Sequence, residues 1–399
     1  MTRVCPQEDK VQRTLATVWK DLIEGRAQPL ARWTLGPLLS ALTAPYALGH
    51  RLRLQAYAHG WATVNRLPCR VISVGNLTLG GTGKTPLVEA IAAHLQDHGR
   101  RVGVLSRGYG RQGRQRLVVV SDGQRCLVSA EVAGDEPVLL AEHLPGVPVV
   151  VGKDRYAAGL LAVQRFGLDT VVLDDGFQHV QLARDLDILT LDATQPFGTG
   201  RLFPRGDLRE RPAAAARADA IVLSHWAPDM MVPDLNVLRP APLLFHSRYE
   251  PLEVWVLADG QRLPLASLVG QRLVAFCGIG HPESFRRLLV ELGANVGAFS
   301  AFPDHHAYTP SELEALARTA KSQRARALIT TEKDGIRLRR LRPLPYAVWE
   351  LRIRVSIVEP RAAWEACLLG MPQGEGSRRV GGTGADKGPH GVAAMGGPR

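Results

Sequence analysis

The segment Val71-Ile-Ser-Val-Gly-Asn-Leu-Thr-Leu-Gly-Gly-Thr-Gly-Lys-Thr85 carries the clearest chemistry in the chain. An apolar run leads into a glycine-rich turn, Gly83-Lys84-Thr85 closes it, and residues 86–95 read as the following helix. The N–H groups of such a turn and of the helix N-terminus wrap triphosphate oxygens, Lys84 neutralises charge at the β- and γ-phosphates, and the Thr85 hydroxyl suits Mg²⁺. The usual G-x-x-x-x-G-K-[ST] spacing asks for glycine at position 78, where this chain has Thr78, but Gly80 and Gly81 keep the turn small enough for backbone approach. The nucleotide-contact candidates are Thr78, Gly80, Gly81, Thr82, Gly83, Lys84 and Thr85.

Such a loop needs an acidic partner for the metal at the end of a nearby apolar strand. Asp174 and Asp175 follow the run 170–173, so with Thr85 they are the metal candidates; an aspartate there also suits a helix cap. Transfer to an alcohol requires a separate acceptor for the hydroxyl proton. Gly134-Asp-Glu-Pro137 offers one, although an Asp before Glu-Pro also serves as an N-cap. Ser106-Arg-Gly-Tyr-Gly110 places a cation and a hydroxyl just after a strand. The segment 200–210 adds Arg201, Arg205, Arg209 and Glu210, compatible with phosphate recognition or a solvated surface. Phe302-Pro-Asp-His-His-Ala-Tyr308 sets two histidines beside an aspartate, without the further spaced ligands of a zinc site, which favours proton chemistry or structure.

Positioning these groups takes a sheet. Apolar β-rich runs at 71–74, 102–105, 147–151, 170–173, 188–191 and 220–223 alternate with helical stretches, the pattern of a doubly wound, mostly parallel α/β sheet. After a connector with Pro233, Pro240 and Pro242, runs at 273–277, 295–298 and 327–330 alternate with helical windows at 282–292 and 310–322, predicting a second, smaller α/β lobe and a cleft between the two.

The chain has 399 residues, 45% hydrophobic and 22% charged, which excludes a single small module and global disorder. Five cysteines without a CxxC pair argue against a disulfide framework and for a reducing compartment. The formal charge is +11, and residues 1–70 alone carry a net +6. The first 28 residues lack the apolar core of a secretory signal, so the chain is expected to stay in the cytosol. The apolar stretch 33–49, broken by Gly36, Pro37 and Pro45, is too short to span a bilayer. Trp33, Leu35, Leu38, Leu39, Leu42, Tyr46 and Leu48, followed by Arg51 and Arg53, suit either a membrane interface or packing on the next domain. Residues 372–399 are Gly-rich without apolar periodicity and are expected to be disordered.

Taken together, Gly75-Asn76, Gly80 to Thr85, Ser106 to Tyr109, Gly134 to Pro137, Asp174-Asp-Gly-Phe-Gln-His179, Phe302 to His305 and Thr331-Glu-Lys-Asp334, in this order, resemble the tetraacyldisaccharide 4′-kinase (lipid A 4′-kinase) family from about Arg32 to about Leu369. The resemblance implies a P-loop α/β kinase with two α/β/α lobes joined by a β-strand linker and an N-terminal membrane-associating helix. It implies ATP and Mg²⁺ as cofactors and transfer to the 4′-hydroxyl of the disaccharide precursor of lipid A. The place implied is the cytoplasmic face of a Gram-negative inner membrane, with the chain a peripheral monomer and no nucleic-acid partner. The corresponding regions are 1–28 (extension), 29–69 (membrane-associating), 70–250 (nucleotide-binding), 251–371 (smaller lobe) and 372–399 (tail). By motif, Asp135 resembles the catalytic base and His305 its partner from the other lobe, with His306 the alternative, while Asp174 and Asp175 match the acidic pair of metal and catalysis. Arg107, Tyr109, Glu136, Arg155, His179, Arg209 and Glu210 align with substrate-contacting positions. Two other readings compete: a nucleotide-hydrolysing switch, which needs no lipid, and a nucleic-acid binder, for which the chain shows no recognised module.

Overall fold

A computed structural model describes residues 18, 19, 22, 23, 25 and 29–370, apart from 110, 112, 114, 227–229, 231–241 and 359. The Gly-rich tail, most of the N-terminal extension and most of the proline-containing connector lie outside the described residues.

Helix α1 (Pro29–Ala58) precedes β1 (Arg70–Asn76), α2 (Lys84–Asp97), β2 (Val102–Ser106), β3 (Leu117–Asp122), α3 (Asp135–His143), β4 (Pro148–Gly152), α4 (Arg155–Phe166), β5 (Thr170–Asp174), β6 (Leu186–Asp192) and β7 (Ala220–Ser224). Then come β8 (Leu243–Val256), β9 (Arg262–Leu263), β10 (Arg272–Cys277), α5 (Pro282–Glu291), β11 (Asn295–Ala301), α6 (Pro310–Ser322), β12 (Ala327–Thr331), α7 (Glu332–Leu338), β13 (Val348–Ile357) and α8 (Arg361–Leu369).

The strands follow the order β11-β10-β12-β13-β8-β7-β6-β1-β5-β2-β4-β3, with β9 paired to β8. Pairing is parallel except at β3–β4, β8–β13 and β8–β9. The central strands β2, β4, β5, β6 and β7 are buried along their whole length, as continuous apolar runs in a sheet covered on both faces must be. On α2, Thr85, Leu87, Val88, Ile91, Ala92 and Leu95 form the stripe that docks on the sheet.

The two expected lobes share this sheet. One long strand, β8, pairs with β7 through residues 243–246 and with β13 through residues 247–256, so it runs across the 250/251 boundary that the sequence reading sets. Helix α8 falls within the span 251–371 that the sequence reading gives to the smaller lobe, yet its Trp364 and Leu368 pack in the core of the first lobe with Ile72, Leu87 and Phe245. Strand β1 lies between β5 and β6, and the chain crosses from one side of it to the other between those strands. That reversal opens a crevice at the carboxyl ends of β1, β5 and β6, where α/β sheets bind ligands.

Helix α1 runs through Pro37 and Pro45, and among the described residues no helix is long and apolar enough to cross a membrane. At 100° per residue, Leu39, Thr43, Tyr46 and His50 share the half-buried stripe; Leu35 and Leu42 flank it and are exposed, and Leu48 and Leu52 lie on the other side, exposed with Leu38. Leu39 and Tyr46, grouped in the sequence reading with the membrane-facing residues, therefore face the protein: the Tyr46 hydroxyl donates to the Arg209 carbonyl at 2.9 Å.

Candidate active site

The phosphate loop is local. Gly83 sits at φ +77°, a left-handed conformation that glycine adopts without a Cβ penalty, and a Cβ there would collide with the Tyr249 hydroxyl. Helix α2 begins at the next residue, so Lys84 and the buried Thr85 occupy its first turn. The Asn76 amide donates to the Gly80 carbonyl at 3.3 Å and to the Thr78 hydroxyl at 3.4 Å, and Thr82 and Thr190 hydroxyls pair at 2.9 Å. The loop is thus braced by strand-end side chains, with Gly81 left exposed.

Two neighbouring aspartates at the end of β5 differ in environment. Asp174 is 2% exposed; Ser106 Oγ donates to its Oδ2 at 3.3 Å, and its Oδ1 is buried without a protein partner. Burial, reinforced by the charges of Glu136 and Asp175, holds its pKa well above the usual carboxylate range. Asp175 lies at φ +56° and turns outward. Arg209 Nη1 donates to both of its oxygens, at 2.9 and 2.8 Å, and Lys84 Nζ lies at 3.7 Å. Burial would raise the Asp175 pKa, but Lys84 and Arg209 bring it below its ordinary value. Burial also lowers the pKa of Lys84, against the pull of Asp175.

The N-terminus of α3 faces the second lobe. Glu136 Oε1 accepts from Lys333 Nζ at 2.6 Å, and the Lys333 charge holds Glu136 far below the usual range despite burial. Asp135 Oδ2 accepts from Arg337 Nε at 2.5 Å, and His305 Nδ1 lies 3.9 Å away, outside hydrogen-bond range. Burial pushes the Asp135 carboxyl up, and the His305 ring and Arg337 charge more than offset it, so Asp135 is held below its ordinary value. The neighbouring histidine looks elsewhere: His306 Nε2 lies 3.1 Å from both Glu312 oxygens, with its ring stacked on Phe302. A Cβ at Gly280 would sit 3.7 Å from the Gly81 amide nitrogen, so the β10–α5 loop lies over the phosphate loop.

The remaining predicted residues separate into two groups. Tyr109 is 75% exposed, with its ring 5.8 Å from that of His305, and Arg107 is exposed beside the same crevice. Arg155 and Glu210, expected at the substrate, are instead buried inside the wall. Arg155 donates to the carbonyls of Gly152 at 2.5 Å and Asp174 at 3.3 Å, a brace for the β5 end. Glu210 accepts two bonds from Arg217, at 2.6 and 3.1 Å, with its side chain 1% exposed. His179 is half-buried, and burial followed by the Arg155 charge lowers its pKa to about 4.

Sequence reasoning assigned no role to Lys333 or Arg337, although Lys333 stands in a motif it singled out. Their four-residue spacing was the available signal, since it puts both cations on one face of a helix. Also missed is a group beside the loop, where Asp192 lies 3.1 Å from His225 Nδ1 and 3.8 Å from His281 Nε2, with Tyr249 next to His225.

A family model described as "Tetraacyldisaccharide-1-P 4'-kinase" matches residues 35–371. Curated proteins named tetraacyldisaccharide 4′-kinase align over most of the chain: that of Syntrophus aciditrophicus is 43% identical over 347 residues, 84% of this chain and 92% of that protein. The one from Geobacter metallireducens is 43% identical over 324 residues, 81% of this chain and 95% of its own length. Among solved structures, LpxK from Aquifex aeolicus in complex with ATP superposes with a TM-score of 0.69 at 34% identity, covering 84% of this chain and 99% of that one.

Proposed function

The chain belongs to the tetraacyldisaccharide-1-P 4′-kinase family, and we propose that its inter-lobe crevice transfers the γ-phosphoryl group of ATP to the 4′-hydroxyl of a tetraacyldisaccharide 1-phosphate, a lipid A precursor. The observation that carries this reading is the placement of a carboxylate from the first lobe, Asp135, against His305 and Arg337 of the second, while Lys84 of the phosphate loop and Asp175 at the end of β5 face the same crevice. The triphosphate lies along the Gly80 to Thr85 turn, with Lys84 on its terminal oxygens. The 4′-hydroxyl gives its proton to Asp135 as its oxygen bonds to the γ-phosphorus, and the bond to the β,γ-bridging oxygen breaks to release ADP. Arg209 keeps Asp175 aimed at the loop, and Tyr109, Arg107 and His179 are the groups left to meet the sugar.

The residues present fit a Mg²⁺ ion. Asp174 Oδ1 is buried without a partner and the Thr85 hydroxyl stands in the first turn of α2, the hard-oxygen donors such an ion takes. Asp174 and Thr85 would hold it, with Asp175 beside them, and when bound it supplies charge neutralisation at the phosphates. Helix α1 supports a peripheral place on the cytoplasmic leaflet of the inner membrane: its outward face shows Trp33 at 80% and Leu38, Leu48 and Leu52 each above half exposure, and Arg51 and Arg53 follow. A monomer satisfies this arrangement, because both halves of the crevice come from one chain.

The test is transfer of ³²P from γ-labelled ATP to tetraacyldisaccharide 1-phosphate in detergent micelles with Mg²⁺. Label in the lipid that depends on Lys84 and Asp135 is the expected result. Lipid-independent ATP hydrolysis without labelled lipid would replace the kinase by a nucleotide switch. Flotation with anionic vesicles, lost in a Trp33→Ser, Leu38→Ser, Leu48→Ser variant, checks the membrane face.

A further inference from the structure

Arg337 is 5% exposed and spends its guanidinium on four groups. Nε donates to Asp135 Oδ2 at 2.5 Å, Nη1 to Asp334 Oδ1 at 3.0 Å and to the Gly278 carbonyl at 3.3 Å, and Nη2 lies 3.1 Å from His305 Nδ1. Asp334 is itself fully buried, accepts from Thr331, Tyr308 and the Gly278 amide, and anchors the fork within the second lobe. One rigid cation from α7 therefore reaches both members of the Asp135–His305 pair and touches them on adjacent edges.

Guanidinium nitrogens donate and never accept, so His305 Nδ1 must offer its lone pair to Arg337. The ring proton of His305 then sits on Nε2. Nδ1 cannot also donate to Asp135, which agrees with the 3.9 Å separation. The titratable groups close to Asp135 include Glu131, a turn earlier in the chain, Glu136, the next residue, and His305; the Arg337 Nε bonds it at 2.5 Å.

We propose that Arg337 is the positioning residue of this pair: it keeps Asp135 as the ionised proton acceptor and fixes His305 as the Nε2–H tautomer, which makes the ring a hydrogen-bond donor rather than a second base. The inference rests on the reading of Asp135 as acceptor only for its kinetic consequence; the tautomer follows from the geometry alone. Because Arg337 belongs to the second lobe and Asp135 to the first, the acceptor is held by a bond that crosses the crevice.

The first measurement is long-range ¹H–¹⁵N correlation on the full chain labelled at histidine nitrogens, with the His305 signals assigned by their loss in His305→Gln. The expected pattern is that of the Nε2–H tautomer; an Nδ1–H pattern in the wild-type protein overturns the proposal without recourse to any variant. In Arg337→Met the tautomers should mix, kcat should fall roughly 10- to 100-fold with KM for ATP little changed, and the acid limb of kcat/KM should move up by about one pH unit as Asp135 loses its cation. Arg337→Lys should recover part of the acid limb, which needs only charge, and not the tautomer, which needs the fork. An Arg337→Met protein that melts like wild type and keeps both tautomer and acid limb also overturns the proposal. Failure of the acceptor reading is separately visible, as unchanged turnover in Asp135→Asn.

Discussion

The phosphate loop and the junction of α3 with α7 flank the same crevice and are built on opposite principles. The loop is backbone: a left-handed Gly83, a helix N-terminus and short polar side chains, all from one stretch of the first lobe. The junction is side chain: Asp135 to Arg337, Glu136 to Lys333, Glu142 to Arg339 and His143 to Glu332, four acid–base contacts between α3 and the segment 332–339. A backbone site is organised before any ligand arrives, because its donors cannot rotate away. A side-chain junction exists only while its two halves touch, and each pair must repay the desolvation of its charges. The first therefore suits the triphosphate, and the second suits a step that draws groups from both lobes.

The largest effect should come from the loop. Lys84→Ala removes the terminal-phosphate cation, and kcat/KM should fall by roughly 10³-fold or more, with nucleotide binding weakened in parallel. Asp135→Asn should separate the two regions: kcat falls by roughly 10²- to 10⁴-fold while nucleotide affinity measured by titration stays near wild type. A loss of affinity as large as the loss of rate would erase the distinction between the two regions. Lys333→Met strips the partner from Glu136 and should cost about 10- to 100-fold in kcat, again with nucleotide affinity retained.

The floor of the junction predicts a pH effect. Glu350, 2% exposed below α7, has its pKa pushed up to about 7 by burial, against the opposing charge of Arg339. Its folded value lies above the unfolded one, so the native state binds the proton more tightly, and stability falls as pH rises from about 4.5 through 7. Glu350→Gln should remove a fall on the order of 2–3 kcal/mol, read as a flatter dependence of melting temperature on pH between 5 and 8. The smallest effect is expected at the rim, where Glu142 and Arg339 are each 31% exposed. Glu142→Gln should change stability by less than about 1 kcal/mol and leave kcat within about two-fold.

How far the chain could be read without coordinates follows the same division. The P-loop, the β5 aspartates and the strand series were visible because each is a contiguous stretch whose residue types have one dominant physical reading. The choice between His305 and His306 was not, since adjacent residues share every sequence property; the left-handed backbone at His305, φ +57°, turns one ring to the crevice and leaves the other on Glu312. Arg155 and Glu210 read as substrate contacts because their motifs align, while their burial beneath the wall depends on Arg217, Gly152 and Asp174, all brought up by the fold.

The amino-acid sequence by itself determined the nucleotide loop, the parallel α/β sheet and the candidate acids, because local backbone geometry and strand burial are encoded within a few residues of where they act. Tertiary structure alone decided which acid meets which base. Lys333 and Arg337 reach Glu136 and Asp135 across about two hundred residues of chain, and α8, at the end of the span assigned to the second lobe, packs on the first. Such contacts depend on how β8 carries one sheet through both lobes, and no local pattern of residue types specifies a pairing made at that distance.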